Sequence, residues 1–268
     1  MQQIAVFGVT GRMGQSLVRA LRGSPRLRLC AAVASVGSAR LGQDAAAEGE
    51  PTGVKVGADA ELAVRGAAVA VDFSLPQAVA AHAAVCAGAG VPLLVGATGL
   101  DAGARRALDS AAERVAVLIA PNTSVGVNVM ARLVWLATRA LGEGYDVDIA
   151  EAHHRAKRDA PSGTALDLGE AVAAARGRTL ASVAVYDRQG ISGPRTPGSI
   201  GFAVVRAGDI IGEHTVIYAG DGERLEITHR AGDRATFAHG ALRAAEWLAG
   251  KPAGLYGMEN VLGLDIRS

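Results

Sequence analysis

Short apolar runs at residues 4–7, 27–34, 69–74, 92–95 and 115–119 recur along the first half of the chain, most of them leading through a turn into a helical pattern. Strands that alternate with helices in this rhythm imply a parallel, doubly wound sheet, because a crossover helix returns the chain to pair the next strand in the same direction. Such sheets bind ligands outside the carboxyl ends of their strands. Gly8, Gly96 and Ala120 all stand at such ends.

The first strand runs straight into Gly8-Val9-Thr10-Gly11-Arg12-Met13-Gly14 and then into a helical pattern carrying Leu17, Val18 and Leu21. Glycines here let the backbone approach a pyrophosphate seated on the helix N-terminus, the arrangement of a dinucleotide site. The spacing is Gly-x-x-Gly-x-x-Gly rather than Gly-x-Gly-x-x-Gly, so turn chemistry alone is the competing reading. At the end of the second strand a dinucleotide fold places an acidic residue on the adenosine ribose. Here that place holds Ala34, followed by Ser35 and Val36. Without a carboxylate to repel it a 2′-phosphate fits there, with Ser35 as a donor and Arg12 or Arg40 as counter-charge, which favours NADPH over NADH. At Gly96-Ala97-Thr98-Gly99 the backbone either passes close to a ligand or turns sharply.

Reactive side chains concentrate at residues 151–165, which read Glu-Ala-His-His-Arg-Ala-Lys-Arg-Asp-Ala-Pro-Ser-Gly-Thr-Ala. Pro161 cannot continue a preceding helix, Ser162 can cap the next one, and Ala165, Leu168 and Val172 continue it. The amides of Gly163 and Thr164 then point outward with the positive end of the helix dipole, where anions bind. His154 and Lys157 add donors for a small dianion, while His153 titrates close enough to neutral pH to give up a proton. A solvated cationic surface loop is the competing reading.

The string Glu-x-His-His-x-x-Lys-x-Asp-Ala-Pro-Ser-Gly-Thr-Ala closely resembles the signature of the 4-hydroxy-tetrahydrodipicolinate (dihydrodipicolinate) reductase family. The resemblance covers nearly the whole chain, with motifs at residues 8–14, 96–99, 120–128, 151–165 and 190–201. It implies that Gly8, Val9, Thr10, Gly11, Arg12 and Met13 hold the cofactor, with Ala34 and Ser35 at the ribose. Gly96, Ala97 and Thr98, and Ala120, Pro121, Asn122 and Thr123, fall near the nicotinamide. By the same resemblance His153 is the proton donor, and His154 binds a substrate carboxylate with Lys157, Ser162, Gly163 and Thr164; Lys157 is also a catalytic candidate, because its ammonium can meet a carboxylate or protonate a developing carbanion or enamine. Three positions depart from the family pattern: Ala34 where an acidic residue is common, Ala97 in place of threonine, and Thr123 in place of phenylalanine. The implied reaction reduces the dehydrated form of 4-hydroxy-tetrahydrodipicolinate to tetrahydrodipicolinate, on the diaminopimelate route to lysine. It takes a hydride from NADH or NADPH and a proton from the protein or a bound water. The resemblance also implies a homotetramer built through the sheets of the substrate domain.

The expected architecture is a Rossmann-like dinucleotide-binding domain, residues 1–124 with 234–268, plus a smaller α+β substrate-binding and oligomerisation domain, residues 125–233, with an open mixed sheet. In the latter, strand patterns at 202–206, 215–218 and 225–229, separated by short polar turns such as Gly220-Asp221-Gly222, suggest hairpins. The exposed face of an open sheet needs a cover, and oligomerisation supplies one. The pattern at 237–248, with Gly240, Ala241 and Ala244 on one side, suits a helix packed back on the first domain. Residues 37–53 read as a mobile loop, His82 as a plain helix-face histidine, and Arg188 and Arg195 as belonging to a flexible loop or touching an anion or another subunit. Cys30 and Cys86 read as two buried reduced thiols, and no metal site is expected.

Composition narrows the function classes. A net charge of +1 gives no basic field for nucleic acid. No signal-peptide pattern and no long uncharged apolar run is present, so a cytoplasmic protein with no membrane partner and a small dicarboxylate substrate is the expectation. Two other classes remain open: another two-domain NAD(P)-dependent amino-acid or semialdehyde dehydrogenase, and a nucleotide-sensing protein that has lost its chemistry. The first does not predict His-His-x-x-Lys beside Ser-Gly-Thr, and the second is expected to have discarded His153 or Lys157.

Overall fold

The computed structural model describes residues 1–264, and the chain divides into two compact units, Met1–Val125 with the segment from Ala235 onward, and Gly126–Arg234. The first unit begins with β1 (Gln2–Phe7), α1 (Arg12–Arg22), β2 (Leu27–Val33), β3 (Val56–Gly57), α2 (Ala60–Val64), β4 (Val69–Asp72), α3 (Pro76–Ala89), β5 (Leu93–Val95), α4 (Ala102–Ala112) and β6 (Ala116–Ile119). There follow α5 (Val125–Leu141), β7 (Asp146–His153), α6 (Gly163–Ala175), α7 (Leu180–Val183), β8 (Ala184–Val185), β9 (Ile200–Arg206), β10 (Gly212–Gly220) and β11 (Glu223–Ala231). The chain then returns to the first unit through α8 (Ala235–Leu248), β12 (Gly254–Tyr256) and α9 (Met258–Leu262).

Every pairing in the first sheet is parallel, in the order β12-β6-β5-β4-β1-β2-β3. The strands are apolar on both faces because both are covered. Leu17, Val18 and Leu21 of α1 and Ala241, Ala244 and Leu248 of α8 pack on one side. Val79, Ala83 and Cys86 of α3 and Leu108 of α4 pack on the other. From β1 the chain winds outward to β2 and β3, then returns to β4 on the opposite side of β1. The reversal opens a crevice at the carboxyl ends of β1 and β4, where such folds seat a ligand. Pro76 is the first residue of α3, where its missing N–H costs nothing. At Gly240 α8 lies so close to the Thr123 carbonyl that a Cβ would come within 1.8 Å of it.

The second sheet, β11-β10-β7-β9-β8, is mixed: β10 pairs antiparallel with β11 and β7, while β9 runs parallel to β7 and β8. Its buried face carries Val147 and Ile149 of β7, Ile200 of β9, and Val216 and Tyr218 of β10, packed with Met130 and Val134 of α5 and Leu168 and Val172 of α6. Tyr218 donates its hydroxyl to the Val134 carbonyl at 2.9 Å, which lets a phenol lie inside an apolar layer. On the opposite face Ala150, Ala152, Thr215 and Ile217 are only partly buried and Val205 is exposed within the single chain.

Several expectations need correction. Only β10 and β11 form a hairpin; β7 lies between β9 and β10, because the turn at residues 207–211 crosses a third strand rather than pairing its flanks. Residues 37–53 are pinned rather than loose: Asp44 accepts from the amides of Ala46, Thr52 and Gly53, which draws its carboxyl down to about 2. Arg40 in the same loop donates from Nη2 to the carbonyls of Asp44 and Ala46, neutral acceptors that hold the side chain in place and do not neutralise its charge. Arg188 and Arg195 clasp Asp148 at 2.8 and 2.5 Å and so hold their own loop on β7. His82 is more than a face residue, since its Nδ1 lies 2.7 Å from the fully buried Asp72 carboxylate. Of the two free thiols Cys30 is half-buried and Cys86 is buried, and burial pushes Cys86 up to about 12.

Candidate active site

The glycine loop between β1 and α1 has the shape a dinucleotide needs. Gly8 adopts φ +74°, where only glycine is unstrained, and a Cβ there would strike the Phe73–Ser74 backbone at 2.7 Å. At Gly14 a Cβ would come within 2.4 Å of the Gly8 carbonyl, so helix and loop touch through hydrogens alone. Gly11 caps α1 with no side-chain hydrogen bond, and no acidic residue occupies the first turn. The first amides of α1 therefore remain available to a pyrophosphate. The loop beginning at Gly96 arrives beside it: Gly96 donates its N–H to the Asp72 carbonyl, and its Cα faces the Phe73 ring. Ala97 is buried, as are Ala120 and Thr123, whose hydroxyl donates to the Phe237 carbonyl at 2.6 Å. Asn122 turns its side chain back to accept from the Ser124 amide. Ala34 is buried at the end of β2 with its N–H on the Gly57 carbonyl, and Ser35 beside it is exposed.

In the second unit the alternation of β7 turns Val147, Ile149, Glu151 and His153 to the buried face. The strand ends at His153, and a turn closed by the Lys157 amide on the His154 carbonyl follows, so the alternation stops before His154. Glu151 has no exposed side-chain surface, and four donors converge on it. Its Oε1 takes the Ser162 amide at 3.0 Å and Arg206 at 2.8 Å, while its Oε2 takes Arg206 at 2.7 Å and His153 Nδ1 at 2.6 Å. Burial pushes the Glu151 carboxyl up, but the hydrogen bonds from Arg206, His153 and Ser162 outweigh it, so the group lies below its usual range and is ionised. An ionised carboxylate accepts only, so Nδ1 of His153 must carry a hydrogen. That leaves Nε2 as the nitrogen that titrates. Burial pushes the His153 pKa down, Glu151 pulls it up less strongly, and the charges of Lys157 and Arg206 act against protonation.

Ser162 caps α6: its Oγ accepts from the Ala165 amide at 3.2 Å, and Gly163 and Thr164 form the first turn. The same Oγ lies 3.0 Å from Nε2 of His214, a buried residue of β10 whose ring meets His153 edge-on at 5.1 Å. Lys157 pairs with Asp159 at 2.8 Å. The structure therefore brings His153, Ser162 and the α6 N-terminus together around Glu151, with Lys157 within electrostatic reach of His153. Glu151, Arg206 and His214 were assigned no role from sequence. A signal for the last two exists in the strand patterns, since each occupies an inward, otherwise apolar position of its strand.

Comparison with known proteins places these features in a family. The model for the dihydrodipicolinate reductase N-terminus matches residues 2–123, and that for the C-terminus matches residues 126–262. The chain belongs to the dihydrodipicolinate reductase family. A 4-hydroxy-tetrahydrodipicolinate reductase of Thiobacillus denitrificans is 52% identical over 98% of both chains, and one of Anaeromyxobacter dehalogenans is 51% identical, again over 98% of both. Among solved structures, a dipicolinate-bound dihydrodipicolinate reductase from a Paenisporosarcina species superposes with a TM-score of 0.78, covering 97% of this chain and 99% of that one at 24% identity. That reductase shares the fold: a parallel Rossmann-like sheet and a separate mixed sheet. Membership makes the chain an NAD(P)H-dependent oxidoreductase and sets aside the other dehydrogenase and sensor classes left open by the sequence. Among the described residues no helix is long and apolar enough to cross a membrane.

Proposed function

We propose that His153 is the proton donor of this reductase and that Lys157, His154, Ser162 and the first-turn amides of Gly163 and Thr164 bind the carboxylates of its substrate. As a member of the family the chain reduces 4-hydroxy-tetrahydrodipicolinate with a hydride from NAD(P)H, in the diaminopimelate route to lysine. One observation carries the assignment of His153: a buried carboxylate fixes its Nδ1–H, so that only Nε2 exchanges a proton. In the free protein the ring is biased towards neutrality. A dicarboxylate arriving beside it adds negative charge, which favours the imidazolium, so the acid becomes charged in the presence of the group it must protonate. Lys157 leaves Asp159 for the stronger attraction of a dianion, and the α6 N-terminus receives a second carboxylate through backbone hydrogens.

The cofactor, when bound, supplies the hydride. Gly8, Val9, Thr10, Gly11, Arg12 and Met13 would hold its pyrophosphate, Gly96, Ala97, Thr98, Ala120, Pro121, Asn122 and Thr123 its nicotinamide half, and Ala34 and Ser35 its ribose. The absence of a carboxylate at Ala34 favours NADPH, with exposed Arg12 or the half-buried Arg40 as the counter-charge. Ala34→Asp is expected to shift preference to NADH, and an unchanged cofactor ratio in that variant rules the argument out. The partly exposed face of the second sheet supports a homotetramer closed through residues 125–233, read by sedimentation or light scattering. The reading also includes a cytoplasmic location and no nucleic-acid partner.

The decisive experiment supplies the purified protein with enzymatically generated substrate and either reduced cofactor and follows nicotinamide absorbance. Substrate-dependent oxidation is expected with both, faster with NADPH. His153→Gln with a normal kcat and pH profile would transfer the proton to water and leave His153 as a carboxylate ligand.

A further inference from the structure

The Ser162 hydroxyl contains more information than its role as a helix cap. A hydroxyl has one hydrogen to give and two lone pairs to receive. One lone pair takes the Ala165 amide, and the oxygen stands 3.0 Å from Nε2 of His214. Whether the serine gives to His214 or receives from it depends on which nitrogen of that ring carries hydrogen.

Burial holds His214 at about 4, with the neighbouring His153, His229 and Lys157 charges also acting against protonation, so at neutral pH the ring has a single N–H. Its other nitrogen, Nδ1, is buried and has no hydrogen-bond partner among the described residues. With hydrogen on Nδ1, a polar N–H would be sealed away from any acceptor. With hydrogen on Nε2, that N–H is satisfied by Ser162 Oγ and only a lone pair is idle, and orphaned N–H groups are the rarer of the two in protein interiors. In the second arrangement both Ser162 lone pairs are filled. The serine hydrogen must then be given away, at the N-terminus of α6 where the substrate carboxylate is placed.

We infer that His214 is a positioning residue of this site: it donates from Nε2 to Ser162 Oγ and thereby makes the serine hydroxyl an obligate donor to a substrate carboxylate. The inference rests on the reading of the α6 N-terminus as a carboxylate site. It also gives the site a selectivity, since a hydroxyl with no free lone pair offers nothing to a ligand that brings an N–H or ammonium group instead of a carboxylate.

Binding of dipicolinate to the full-length protein with reduced cofactor present, measured by calorimetry, tests the role. His214→Phe, which keeps an aromatic ring but removes the donor, is expected to weaken dipicolinate about tenfold, with the loss in turnover assays falling on KM more than on kcat. Ser162→Ala is expected to weaken it at least as much, and the double variant no more than Ser162→Ala alone, because His214 acts through the serine. Additive losses, or wild-type affinity in His214→Phe when Ser162→Ala binds poorly, overturn the role of His214 and leave the carboxylate site intact. Unchanged affinity in Ser162→Ala overturns the site reading and the inference together. Should His214→Phe not fold, the ¹⁵N spectrum of the histidine-labelled wild-type protein, assigned by single substitutions at the other five histidines, reads the tautomer directly: hydrogen on Nε2 is expected, and hydrogen on Nδ1 overturns the inference.

Discussion

Replacing Glu151 by glutamine preserves its volume and removes its charge at the point where four hydrogen bonds meet. A glutamine has one accepting oxygen and one donating NH₂ group, so one of the two donor pairs must face hydrogens. If the NH₂ turns to the Ser162 amide and one arm of Arg206, the cap residue of α6 loses its anchor. If it turns to His153, Nδ1 has to give up its hydrogen and become an acceptor, and Nε2 of the neutral ring then carries a hydrogen far too weakly acidic to transfer. In both arrangements Arg206 loses its buried counter-ion and keeps only the electrostatic influence of Asp159. Two charge-assisted hydrogen bonds are lost, each of about 1.5–3 kcal/mol, so the melting temperature is expected to fall by about ten degrees or more.

The catalytic consequence of Glu151→Gln is expected to be larger than the structural one. Loss of a correctly poised general acid costs about 10²- to 10⁴-fold, and kcat should fall by that order with a smaller change in KM. A pH dependence separates this from general loosening. With His153 as the proposed acid, the active form is the protonated ring, so activity is expected to fall as pH rises through the His153 pKa. Glu151 is the influence that raises that pKa, and removing it moves the falling limb to lower pH. The assay is kcat against pH at saturating substrate, with a near-ultraviolet circular dichroism spectrum to confirm that the variant is folded. A folded Glu151→Gln enzyme with kcat within threefold of the parent and an unmoved limb would refute the reasoning.

Lys157→Ala should lower kcat/KM by about 10²- to 10³-fold, and Lys157→Arg should not restore it, because a planar fork cannot replace a point charge on the same stem; near-normal turnover in the alanine variant refutes the role. His153→Gln should lower kcat by about 10²- to 10⁴-fold, whereas His154→Gln should mainly raise KM, and interchangeable effects would contradict the division. Stability should fall on acidification. His214 titrates near 4 in the native state rather than at 6.5, so between those values the unfolded chain binds more protons. Its contribution is complete above pH 6.5 and is lost as pH falls towards 4, with a ceiling of about 3 kcal/mol. Melting temperatures across that window should flatten in His214→Phe, and parallel curves for the two proteins would count against it.

What the sequence disclosed followed from how local each feature is. The parallel sheet was legible because every strand buried on both faces is a short apolar run, and the run, its turn and its helix lie within about thirty residues of one another. Gly8 and Gly14 were legible as a pair for the same reason, although their closeness in space, with Gly14 against the Gly8 carbonyl, is visible only in the structure. The wrong hairpin between β9 and β10 came from reading the same kind of local signal where it does not suffice. A polar turn containing Gly208 says that the chain reverses, and says nothing about whether β7 enters between the two strands.

The active site divides along the same line. His153, Lys157 and Ser162 belong to one contiguous string, and the roles proposed for them follow from that string and its likeness to the family signature. Glu151 lies in that string too, but its importance depends on Arg206 and His214, which come from β9 and β10 by register: Arg206 opposite His153, and His214 opposite Glu151. Both were detectable in outline, because β10 alternates Gly212, His214, Val216 and Tyr218 on its buried face and β9 ends the row of Ile200 and Phe202 with Arg206. A charged or titratable side chain at an inward position of an amphipathic strand must find a partner in the interior. That rule predicts that such partners exist and stops short of naming them, since the pairing of β7 with β9 and β10 depends on packing of the whole sheet. The histidine proposed as proton donor therefore stands out in the local sequence, and the groups that fix its tautomer do not.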